Sequence, residues 1–141
     1  MAVTVTLYNH TAKLFANGDV DLANLKVMLL NASGTVTASH TAISSISANQ
    51  VSGNGWTAGG VALSSVAVTT TTTNDATLDA ADITVTASGG AIGPAENAVI
   101  YDATGNYPLF HIAFGAAKSA DAGADFKITW NASGIATWTV A

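Results

Sequence analysis

The stretch Asp125–Val140, D-F-K-I-T-W-N-A-S-G-I-A-T-W-T-V, decides the fold class. Phe126, Ile128 and Trp130 alternate with Lys127 and Thr129, while Ala136, Trp138 and Val140 alternate with Ile135, Thr137 and Thr139. A period of two sends successive side chains to opposite faces, so each arm reads as a strand with one buried face. Between the arms, Asn131-Ala132-Ser133-Gly134 suits a type I turn closed by a left-handed glycine. The whole stretch therefore reads as a β-hairpin. Its two tryptophans would bring a core much apolar area from few residues.

The same alternation recurs upstream. Val3, Val5 and Leu7 alternate with Thr4, Thr6 and Tyr8 in an opening strand, and Lys13–Ala16 reads as a second, short one ended by the Asn17-Gly18 turn signal. Leu25–Leu30, L-K-V-M-L-L, is almost wholly apolar, as a central strand covered on both faces would be. Strand chemistry returns at Val61–Thr71, Ala76–Leu78, Ile83–Thr86, Ala98–Tyr101 and Leu109–Phe114. The glycine-containing stretches Gly89–Pro94 and Gly115–Gly123 read as loops. From Asn31 to Gly60 the pattern weakens, and Ile43 and Ile46 behind Ser39-His40-Thr41 predict at most one helical turn near 41–47. A segment that long without regular structure is expected to lie along the sheets or to reach a neighbour. Eight to ten short strands and no long helix predict an all-β fold. Residues 1–141 would form a single antiparallel β-sandwich, jelly-roll-like or immunoglobulin-like.

Composition narrows the role. Charged residues make up 9% of the 141, against the usual quarter, and Thr, Ser, Asn and Gly supply the polarity instead. So weakly charged a surface suits a protein packed against neighbours. The net charge is -5, with four Lys and no Arg, which argues against nucleic acid as a partner. Cys is absent, so disulfides and thiolate metal sites are excluded. Neither a signal peptide nor an apolar run of membrane-spanning length is apparent, and a soluble chain made in a cytoplasm, with no membrane partner, is expected.

No residue set reads as catalytic, cofactor-binding or metal-ligating, so a non-enzymatic protein is expected. Gly53-Asn54-Gly55-Trp56-Thr57-Ala58 matches G-x-G-x-x-A, but Gly59-Gly60 and a strand follow it where a dinucleotide fingerprint needs a helix. A tight glycine loop that sets Trp56 against the core is the better reading. His10, His40 and His111 lack ligand spacing, and His111 sits within an apolar strand as a satisfied core or interface histidine would. The close acidic pairs Asp19/Asp21 and Asp79/Asp82 lack EF-hand spacing and suit turn capping. Asn9-His10-Thr11, Asn31-Ala32-Ser33 and Asn131-Ala132-Ser133 match the glycosylation pattern but read as turns.

Several segments together resemble a group of small proteins encoded among the structural genes of tailed bacteriophages. They are Leu7–Gly18 (L-Y-N-H-T-A-K-L-F-A-N-G), Leu25–Asn31, His40–Leu63, Ala98–Thr104 and Phe126–Ile135. The most specific are V-S-G-N-G-W-T-A-G-G and F-K-I-T-W-N-A-S-G-I. The resemblance implies a virion component, assembled in the host bacterial cytoplasm, and carries no catalytic residue across. One expectation is a capsid decoration (cement) protein that binds the major capsid protein or other virion proteins, as a dimer or trimer. Its interface would use an N-terminal arm, residues 1–10, with Val3, Val5 and Tyr8. The long segment 31–60 would add His40, Ile43, Ile46 and Trp56. The alternative is a tail, baseplate or fibre-associated module contacting host surface glycan through Trp56, Tyr101 and Tyr107. An exposed Thr69–Thr73 edge is a further expected assembly point.

Overall fold

The structure is a computed structural model that describes residues 4–70 and 75–139, and it is all-β with every strand pairing antiparallel. In chain order the elements are β1 (Thr4–Leu7), α1 (Thr11–Asn17), β2 (Leu25–Leu30), β3 (Gln50–Val51), β4 (Val61–Ala62) and β5 (Ala67–Thr69). They continue with β6 (Ala76–Asp79), β7 (Ile83–Thr86), β8 (Ile92–Asp102), β9 (Tyr107–Ala120), β10 (Asp125–Ile128) and β11 (Ala136–Trp138). A six-stranded sheet has the order β1-β9-β8-β2-β3, with β4 also on β2. A pair, β10-β7, and a three-stranded sheet, β11-β6-β5, complete the set.

Eleven strands among the described residues exceed the eight to ten expected, and two of them are long. β8 runs through Gly93-Pro94 and β9 runs through Gly115, positions that read as loops in the sequence. The β8–β9 ladder shifts register between Ile92 and Ala95, again before Asn97, and between Ile100 and Tyr101. Bulges of this kind absorb strand-breaking residues without ending the strand.

The second short strand expected at Lys13–Ala16 is instead part of helix α1. Ala12, Lys13, Leu14 and Ala16 are good helix formers, and a four-residue window cannot separate the two periods. The helix ends where Gly18 enters the left-handed region at φ 76°. Gly18 N–H donates to Phe15 O (3.1 Å) and Asp19 N–H to Leu14 O (2.9 Å), the Schellman arrangement. Asn17-Gly18 thus stops a helix. Thr11 Oγ1 anchors the start by donating to Leu109 O at 2.6 Å.

The C-terminal stretch is not a hairpin. β10 pairs with β7, Asp125 opposite Thr86 through Ile128 opposite Ile83, whereas β11 pairs with β6, Ala136 opposite Leu78 through Trp138 opposite Ala76. Residues 76–86 and 125–138 therefore lie alongside one another, with three residues between β6 and β7 facing seven between β10 and β11. The surplus is the Asn131–Gly134 turn, looped out of the strand path. The turn chemistry is as expected: Gly134 N–H donates to Asn131 O (2.8 Å), Ser133 N–H to Asn131 Oδ1 (2.9 Å), and Gly134 has φ 91°. Trp130 closes the interruption, donating its backbone N–H to Asp82 Oδ1 (2.9 Å) and its indole N–H to Ala81 O (3.0 Å).

β2 is central and covered on both faces, as its composition predicts. Leu25, Val27 and Leu29 enter a large core with Ile100, Phe110, Leu78, Ile83, Phe126 and Ile128, so the six-stranded sheet shares that core with the smaller sheets. Met28 and Leu30 point the other way, into a second cluster with Tyr8, Ile43, Ile46, Val99 and Tyr101. The irregular segment supplies this cover through successive 3-10 turns at Ile43–Ser45 and Ser47–Asn49, where at most one turn is expected. Backbone bonds from Asn9 N–H to Ala38 O (2.8 Å) and Ile43 N–H to Asn106 O (2.9 Å) pin it down. Burying each isoleucine stabilises this cover by roughly 2 kcal/mol.

Candidate interaction surface

Four of the seven expected interface residues lie inside the chain. Tyr8, Ile43 and Ile46 fill the second cluster, and Trp56 sits in the main core. Asn54 (φ 55°) and Gly55 (φ 106°) make a tight turn that bonds Gly53 to Trp56 in both directions, at 2.8 and 3.0 Å. This swings the indole edge-on against Phe126, with centroids 5.6 Å apart. The glycine loop therefore serves packing, as read from the sequence, and the same packing withdraws Trp56 from any interface of the folded chain. Ile43 and Ile46 are withdrawn because a Ser-rich segment over an apolar sheet face must contribute its few apolar residues to that face. Burial also pushes the Tyr8 hydroxyl pKa up.

His40 is half-buried and its Nδ1 accepts from Thr37 N–H at 3.5 Å, while Val5 is exposed. Val3 lies outside the described residues. The aromatics expected to hold glycan are likewise drawn inward. Tyr101 is buried, its hydroxyl donating to Gly59 O, and Tyr107 is half-buried with its ring edge-on to His10 at 6.0 Å. Of the expected Thr69–Thr73 edge, Thr69 ends β5 at the margin of its sheet, and residues 71–74 lie outside the described residues.

Several titratable groups are committed to the fold. Asp102 is buried; its Oδ2 accepts from Asp21 N–H (3.0 Å) and its Oδ1 from Thr104 N–H (2.8 Å). Asp21 caps the following turn through Ala23 N–H at 3.1 Å, and Asp79 accepts from Ala80 N–H at 2.9 Å. His111 Nε2 lies 2.8 Å from Asn97 Oδ1, and burial lowers the imidazole pKa. Among the described residues no three such side chains gather as metal ligands, and no helix is long and apolar enough to cross a membrane.

Among the described residues two edge strands keep large apolar side chains exposed, β5 with Val68 and, beside a groove, β1. Val5 lies opposite Ile112 and Leu7 opposite Phe110, so both share the core face of the six-stranded sheet. Yet they are 41% and 46% exposed, because the second layer does not reach them among the described residues. Beside Val5 a groove of about 680 Å³ runs between β9 and β10, walled by Ile112, Phe114, Phe126, Ile128 and Trp130. Lys118, Asp125 and Lys127 also line it. The sequence reading names Val5 as an interface residue and leaves Lys118 and Trp130, which also line the groove, outside that set. The alternation T-V-T-L carries the signal for the strand, and nothing local carries the signal for the groove.

Comparison of the chain with protein-family models, with curated proteins and with solved structures finds no match.

Proposed function

We propose that the chain is a non-enzymatic structural protein of a tailed-phage virion, acting as a capsid decoration (cement) protein that docks on the head shell. The observation that carries this reading is the β1 edge. It presents two apolar residues of the core face that no described residue covers, beside a groove with apolar walls, a surface suited to a partner. The low charge and the phage-like stretches, above all V-S-G-N-G-W-T-A-G-G, support the same reading. The partner is then the major capsid protein or another virion protein, and a dimer or trimer would match the symmetry axes of a shell. Many copies would add modest single contacts into a firm hold.

Counting copies on purified particles by quantitative mass spectrometry, together with labelled imaging, tests this reading. Hundreds of copies spread over the head are expected. A few copies confined to the tail would transfer the protein to a tail, baseplate or fibre role, and absence from particles would remove the virion reading.

A further inference from the structure

We propose that the outer edge of β1, next to the groove, accepts an extended peptide segment, apolar at alternate residues and carrying a carboxylate at one end, which adds as a strand to the sheet. The inference rests on the reading of this edge as a docking surface, though not on where in a virion the partner lies.

Backbone direction comes first. Tyr8 N–H donates inward to Leu109 O at 3.1 Å. Alternate residues of a strand direct their peptide groups to the same side, so Thr6 and Thr4 also bond toward β9. The N–H and C=O of Val5 and Leu7 therefore face outward, and β1 ends its sheet with no strand beyond it among the described residues. An unpaired row of this kind is a template for strand addition. β1 also lacks the devices that usually protect an edge, since T-V-T-L contains no charge and no proline.

Side chains supply the second argument. Val5 lines the groove and Leu7 lies on the same face of the sheet, so a strand laid beside β1 with apolar residues at alternate positions extends that face outward from Val5 and Leu7. Charge supplies the third. Two of the chain's four lysines, Lys118 and Lys127, line this groove against one aspartate, leaving one net positive charge there on a protein of net charge -5. Asp125 lies 3.8 Å from Lys127, whereas Lys118 has no ion pair among the described residues. A carboxylate on the incoming segment complements Lys118.

The test is a fluorescence-anisotropy titration of the full chain with a labelled synthetic peptide of alternating valine and threonine ending in two aspartates. A twin ending in two lysines serves as control. The aspartate-ended peptide is expected to bind about tenfold more tightly than its twin, and Lys118→Glu to remove that preference. Leu7→Pro deletes an outward N–H while leaving the β9 ladder intact, and is expected to weaken binding about threefold to tenfold. Should Leu7→Pro not fold, Val5→Glu sets a negative charge among the apolar contacts and against the incoming carboxylate, and is expected to weaken binding likewise. Equal binding of the two peptides, binding of neither, or undiminished binding by the folded edge variant overturns the proposal. So does self-association of the chain that the edge variant abolishes, which assigns the edge to a second copy. Absence from particles with peptide binding intact would remove the virion reading alone.

Discussion

Val5 and Ile112 face each other across the β1–β9 ladder, and Val5 is 41% exposed while Ile112 is 2% exposed. One core face thus passes from packed interior to open surface within a single strand spacing. Truncation separates the two positions in energy. Ile112→Ala is expected to cost about 2–5 kcal/mol through lost burial and the cavity left behind. Val5→Ala is expected to cost under about 1 kcal/mol in the isolated chain. Urea denaturation of both variants measures the contrast, and equal losses would mean that Val5 is covered in solution.

Trp56 joins a glycine turn to the main core through Phe126. Trp56→Ala is expected to destabilise the chain by about 3–5 kcal/mol. A loss below about 1 kcal/mol would show that the indole belongs to the surface after all.

Two glycines with positive φ separate backbone strain from crowding. Gly18 (φ 76°) has open space where a Cβ would go, so Gly18→Ala is expected to cost about 1–2 kcal/mol from the left-handed backbone alone. At Gly60 (φ 96°) a Cβ would overlap the Val27 carbonyl in the central strand. Gly60→Ala is therefore expected to cost roughly 3 kcal/mol or more. Thermal melts of the two variants should rank them in that order.

Burial holds the folded-state pKa of His111 below its ordinary value of 6.5. The unfolded chain then takes up the proton first as pH falls, so the stability held by the neutral ring is full above 6.5 and drains below it, toward the folded-state pKa. Unfolding midpoints measured from about pH 8 down to about pH 5 should fall more steeply for the native chain than for His111→Gln. Parallel curves would assign the acid sensitivity to other groups.

Strand faces were legible because their signal is local. Phe126 and Ile128 are buried and Lys127 and Thr129 exposed, as a period of two demands. The Asn131–Gly134 turn was legible too, since Asn and Gly chemistry fixes it within four residues. Which strands meet was not. A turn of that type can return a chain on itself or bulge from a strand that carries on, and β6 and β7, far back in sequence, decided the matter. Closing so long a loop costs little more entropy than closing a short one, so no distance along the chain marks the partner.

The interface residues show the same division. That Ile43, Ile46 and Trp56 were special could be read from their isolation in a polar segment, but an apolar residue in such a segment serves a neighbour or the chain's own sheet equally well. Only the tertiary structure, by laying residues 31–49 over Met28, Leu30 and Val99, turned Ile43 and Ile46 inward. By itself the sequence determined an all-β chain with a central apolar strand, because side-chain period and turn chemistry act between near neighbours. The pairing of strands, the helix at Thr11–Asn17 and the uncovered edge at Val5 and Leu7 were decided in three dimensions. Burial there depends on which distant segment arrives above each face, and over β1 none does among the described residues.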